Sequence, residues 1–136
     1  MTNETAIHIT LADTPEYTFG SPGEHNGYQL FPDEMERDPE IFFHGTDRRF
    51  LQPIVDGGFH LPTPDKAQSV SFARNSALAL GYASGLGSNG VVIAVRFDAD
   101  NRSARDEQAF GLHIYRFDPQ PKITGYCIVP AAYVHR

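Results

Sequence analysis

The chain has no tryptophan and a single cysteine, Cys127. One thiol excludes an internal disulfide and a cysteine-based zinc site. Within Tyr126-Cys-Ile-Val it reads as a small buried apolar residue. The six histidines, at 8, 25, 44, 60, 113 and 135, lack HxxxH spacing, so no metal is expected. No apolar run approaches the roughly 18 residues of a membrane-spanning helix. The longest, Val91 to Val95, lies between Gly90 and Arg96 and reads as a buried strand. The opening Met-Thr-Asn-Glu-Thr has neither the basic end nor the apolar stretch of an export signal. The expectation is a soluble chain, cytoplasmic or delivered as an effector by a route without a classical signal peptide. Glutamate is scarce where chemistry would want it: beyond residue 40 there is only Glu107.

With 136 residues the chain is long enough to close one core. Its formal net charge of −6 is unevenly spread. Residues 1–40 hold nine acids against Arg37 alone, whereas residues 41–136 hold eight acids and ten bases. The division is therefore an acidic N-terminal extension, 1–40, followed by a mildly basic domain, 41–136. Overall acidity disfavours a general nucleic-acid partner, and the acidic extension suits docking against a basic partner surface or packing over the body. In it, Ile7-His-Ile-Thr-Leu11 alternates like a strand and Gly20-Ser-Pro-Gly23 reads as a turn.

In the body, Ile41-Phe-Phe-His44 predicts a short strand running into Gly45-Thr46. Phe50, Leu51, Ile54 and Val55 keep the helical period from Asp47 to about Asp56, with Pro53 in a first turn and Gly57-Gly58 as the stop. Ser69 to Phe72 alternates as a strand. Asn75 looks like the N-cap of a helix from Ser76 to Ser84, with Leu78, Ala79 and Tyr82 on one face and Gly85 ending it. Gly90 to Phe97 is the strongest strand, 98–106 reads as polar loop, and strands follow near 109–117 and 125–129. Many strands and two short helices, without βαβ alternation, give an α+β class.

Three features in fixed order narrow the reading. His44-Gly45-Thr46 ends a strand and precedes a helix closing in Asp56-Gly-Gly-Phe59. Ser71-Phe-Ala-Arg leads into a helix with Tyr82 eleven residues after Ser71, and Tyr126-Cys-Ile-Val-Pro130 with Tyr133 lies near the end. Over residues 41–130 this order resembles the ADP-ribosyltransferase family of the diphtheria-toxin and poly-ADP-ribose polymerase type. The resemblance implies a pair of small antiparallel sheets with short helices, holding NAD in a cleft between them. It implies that NAD is the substrate and that one ADP-ribose passes to a protein target, as in a bacterial or phage effector or toxin. By the same resemblance His44 bonds the adenosine ribose, Gly45 lets the backbone meet the nicotinamide carboxamide, and Thr46 holds the turn or the ribose. Tyr82 stacks on nicotinamide; Ser71 and Phe72 line the site. Arg74, with Arg48 and Arg49, is suited to the pyrophosphate because guanidinium forks match phosphate oxygens. Such chemistry passes through an oxocarbenium-like state, so the protein mainly orients NAD and stabilises charge.

Two positions depart from the family pattern. Ser71 stands where a second tyrosine is usual, and Gly125 stands where the catalytic glutamate is usual. Either Glu107, in Asp106-Glu-Gln108, supplies the acid, or the leader does, or the site is non-standard; Asp65 is a weaker candidate. The expected catalytic set is His44, Tyr82 and Glu107. The alternatives are an NAD glycohydrolase, a nucleic-acid-directed transferase, and a degenerate module that binds NAD or a protein without turnover.

Overall fold

The computed structural model describes residues 14–20, 22–61, 69–84 and 89–133. The expected strand at 7–11, the candidate Asp65 and the helix stop at Gly85 lie outside the described residues. The class is α+β: six antiparallel strands form one open sheet in the order β4-β5-β2-β1-β3-β6. These are β1 (Ile41–Asp47), β2 (Val70–Ala73), β3 (Gly90–Arg96), β4 (Ala104–Gln108), β5 (Gly111–Arg116) and β6 (Lys122–Val129). Among the described residues three α-helices accompany them: α1 (Asp33–Glu36), α2 (Leu51–Gly57) and α3 (Ser76–Ala83).

The apolar run of β3 is buried from Gly90 to Val95 because the strand is internal and both its faces are covered. It pairs with β1 along the whole of that strand, from Ile41 opposite Arg96 to Asp47 opposite Gly90. Gly45 and Thr46 are therefore strand residues, and β1 is three residues longer than the expected strand Ile41–His44. On its other side β3 pairs with β6, with an irregularity at Ala94/Val95 that leaves Thr124 without a partner in the register. Its hydroxyl donates to the Ala94 carbonyl at 3.2 Å.

Residues 98–106 are not all loop. Ala104–Gln108 is an edge strand paired with β5, and Ala109-Phe110 is the turn between them. Arg105, Asp106, Glu107 and Gln108 are all exposed, so no apolar alternation marks this strand. Charge along an edge discourages further pairing.

Period-two alternation assigns the two cores. Phe43, Ala73, Ala94 and Cys127 face α3 together with Leu30, Phe31 and Met35 from the leader. Phe42, Phe72, Ile93, Leu112, Ile114 and Tyr126 face α2 and Phe59. Residues 30–35 thus complete one core. Glu36 tightens that join: its carboxylate accepts from the backbone N–H of Phe31 and Ser76, each at 3.2 Å, and from the Ser76 hydroxyl. A carboxylate there also meets the positive end of α3, whose Asn75 side chain accepts from Leu78 N–H at 3.0 Å as a cap.

Candidate functional site

The six strands divide into two groups of three, β4-β5-β2 and β1-β3-β6, which meet at β1 and β2. These two strands share one register pair, Phe43 with Ala73. Beyond it, β1 stays with β3 and β2 stays with β5, so the sheet parts along this seam. The gap is crossed by a side chain: the His44 Nδ1–H donates to the Ser71 carbonyl at 2.8 Å. The His44 ring also packs edge-on against Phe59 and at a tilt to Phe72, with centroids 5.2 and 5.5 Å away. Burial pushes its pKa down, and the bond to the Ser71 carbonyl only partly opposes this.

A cleft of about 960 Å³ opens at the seam, large enough for a dinucleotide-sized ligand. Its lining brings together His44, Gly45, Thr46, Ser71, Phe72 and Tyr82, six of the residues expected from the sequence. Phe50, Phe59, Leu78 and Phe110 add apolar walls. Tyr82 is 71% exposed and Phe110 75% exposed, so these rings face open space. Leu78 and Tyr82 share a face of α3, as their spacing dictates, but it is the face toward the cleft. Ala79, Leu80 and Ala83 carry the buried contact. Gly45 allows the close seating of that helix, because a Cβ there would lie 2.0 Å from the Ala79 carbonyl oxygen.

The remaining candidates stand elsewhere. Arg74 lies over the Phe42 ring at 4.5 Å and donates to the Pro39 carbonyl at 3.0 Å, tying the leader to the body. Arg49 lies over the Phe50 ring at the cleft rim, 4.9 Å from its centroid. Glu107 pairs with Leu112, a residue of the α2-side core, and does not line the cleft. Arg105, two residues back on the same face, reaches over Phe97 of that core at 5.4 Å. Gly125 is covered from the leader: a Cβ would meet the Tyr17 ring at 2.5 Å and the Pro15 carbonyl at 3.1 Å. It too is absent from the cleft lining, and no described residue before Phe43 contributes to that lining.

The strand that borders the cleft opposite His44 is β5, and its polar residue there is His113, which sequence reading passed over. Ser71 and His113 are register partners in β2 and β5. The Ser71 hydroxyl sits 2.9 Å, and the Ser69 hydroxyl 3.2 Å, from the same His113 nitrogen, Nδ1. The alternation Ser69-x-Ser71 and His-x-Tyr on the later strand was the available signal, but which strands pair cannot be read from spacing alone. Among the described residues no cluster of histidine, cysteine or carboxylate side chains is arranged to hold a metal ion. No helix among them is long and apolar enough to cross a membrane. Comparison with known families and with curated proteins finds no family model and no curated protein that matches this chain.

Proposed function

We propose that this chain binds NAD in the seam between β1 and β2 and transfers a single ADP-ribose to a protein side chain. The observation that carries this reading is the convergence of His44, Gly45, Ser71 and Tyr82 on one cleft at the line where the sheet parts. A sheet joined there by a single pair supports seeing its halves as the two small sheets of the ADP-ribosyltransferase arrangement. Tyr82 presents an open aromatic face of the kind that holds a flat, electron-poor ring. His44, held by the Ser71 carbonyl through Nδ1, has Nε2 left to accept from a ribose hydroxyl. The walls leave phosphate neutralisation to the rim, where Arg49 stands beside Phe50.

A second reading, binding of NAD without turnover, is favoured by one observation: no carboxylate lines the cleft among the described residues. The two separate in a single experiment. Purified protein is incubated with NAD and a bacterial lysate, with free nicotinamide measured alongside protein mass spectra. Nicotinamide together with a protein carrying one added ADP-ribose supports the transferase. Nicotinamide alone identifies a glycohydrolase, and NAD binding without nicotinamide identifies the binding module.

A further inference from the structure

Transfer of ADP-ribose releases a proton. The bond between ribose C1 and the nicotinamide nitrogen breaks with its electron pair, which leaves on neutral nicotinamide. The acceptor's oxygen or nitrogen forms the new bond to C1, and its hydrogen must then depart as a proton. No aspartate, glutamate or lysine lines the cleft among the described residues, whereas three imidazoles do: His44, His60 and His113. His44 is a poor proton acceptor, since its ring is packed between Phe59 and Phe72 and burial disfavours its charged form. His60 stands exposed on the segment after α2. His113 alone is joined to hydroxyl groups that face the cleft, with the Ser71 and Ser69 oxygens 2.9 and 3.2 Å from Nδ1. A neutral ring with its hydrogen on Nε2 presents the Nδ1 lone pair to accept from a serine hydroxyl.

We propose that Ser71 and His113 form the proton relay of the transfer. The acceptor gives its proton to Ser71 Oγ as the Ser71 hydroxyl passes its own to His113 Nδ1, and the imidazolium then returns a proton to solvent. Ser69 keeps the ring aligned. This rests on the transferase reading and adds to it the group that activates the acceptor in a cleft without a carboxylate. The charged residue facing His113 from the neighbouring strand is Asp106, its register partner in β4, whose carboxylate accepts from Gln108; the β2 residues against it, Ser69 and Ser71, are uncharged.

The test compares His113→Asn, Ser71→Ala and His60→Asn with the unaltered chain. It measures NAD affinity by calorimetry, and nicotinamide release and transfer from labelled NAD to lysate protein between about pH 5 and pH 9. An asparagine at 113 can still bond Ser71 but cannot take its proton. H113N is expected to bind NAD within about threefold of the unaltered chain, and both H113N and S71A to transfer about 100-fold more slowly. An acid limb in the rate profile is expected to disappear in H113N, and the double variant to be no slower than the worse single one. Transfer by H113N at the unaltered rate and with the same acid limb overturns the relay while leaving the transferase reading intact. So does loss of that limb in H60N alone. If the unaltered chain binds NAD but releases no nicotinamide, the transferase reading falls and the relay with it.

Discussion

Tyr82 carries little of the fold and much of the proposed site. Because its side chain is 71% exposed, Tyr82→Ala should change stability by no more than about 0.5 kcal/mol. Loss of a stacking partner should weaken NAD about tenfold, and calorimetric titration beside a thermal melt separates the two effects. Glu107 makes the opposite case. As the sole glutamate beyond residue 40 it is the natural acid on composition, yet strand alternation turns it away from Ser71 and His113. Glu107→Gln is therefore expected to leave nicotinamide release within about twofold, and a loss of orders of magnitude would return the acid to it. Six of the candidate site residues were legible because each sits inside a local pattern: a strand ending in His-Gly-Thr, and a capped helix bearing an aromatic. His113 was not legible. Its significance arises from its pairing with Ser71, 42 residues away in sequence.

At the scale of elements, α3 is set by its ends. Asn75 caps it through Leu78 N–H, and Glu36 from the leader bonds the first helical residue through both backbone and hydroxyl. Glu36→Gln keeps the shape and removes the charge, and should cost about 1–2 kcal/mol, because bonds to a charged acceptor outweigh neutral ones. Urea denaturation checks this, and an unchanged midpoint would show that the join contributes nothing. Asn75 was readable from sequence because capping is local; Glu36 was not, since its partner is 40 residues distant. The same division explains the strands. β3 announces itself by an unbroken apolar run, while β4, an edge strand with exposed charges, carries no pattern to detect. Gly45 and Thr46 look like a turn by composition, yet full pairing with β3 holds them extended.

For the whole molecule, the leader and the body share one structure. Leu30, Phe31 and Met35 are buried in the core beside α3, and side chains of this kind contribute about 1.5–3 kcal/mol each. Their sum is comparable to the entire stability of a domain this size. Removal of residues 1–40 should therefore abolish cooperative unfolding, read as loss of the thermal transition by circular dichroism. Charge joins the same parts: Arg96 on β3 bridges Asp38 at 2.8 Å and Glu40 at 2.9 Å. The Glu40 backbone N–H, and then Arg96, hold the Asp38 carboxyl below its usual range. A lowered carboxylate pKa stabilises the fold above its ordinary value of 3.8 and stops doing so as pH falls through the lowered one. Stability should thus decline below about pH 4, and Asp38→Asn should flatten that decline; equal acid sensitivity in both proteins would assign it elsewhere. The leader is also stitched to β6 at Tyr126, whose N–H donates to Pro15 and whose carbonyl accepts from Tyr17 N–H. The Tyr126 hydroxyl meets Glu16 across 110 residues of sequence. On a translating ribosome, residues 14–17 therefore emerge long before their partner strand exists, and they must wait through the synthesis of nearly every other strand. The last stitch of this fold can be made only after β6 has cleared the exit tunnel, so a nascent chain stalled before that point holds its cleft residues in an unsealed sheet.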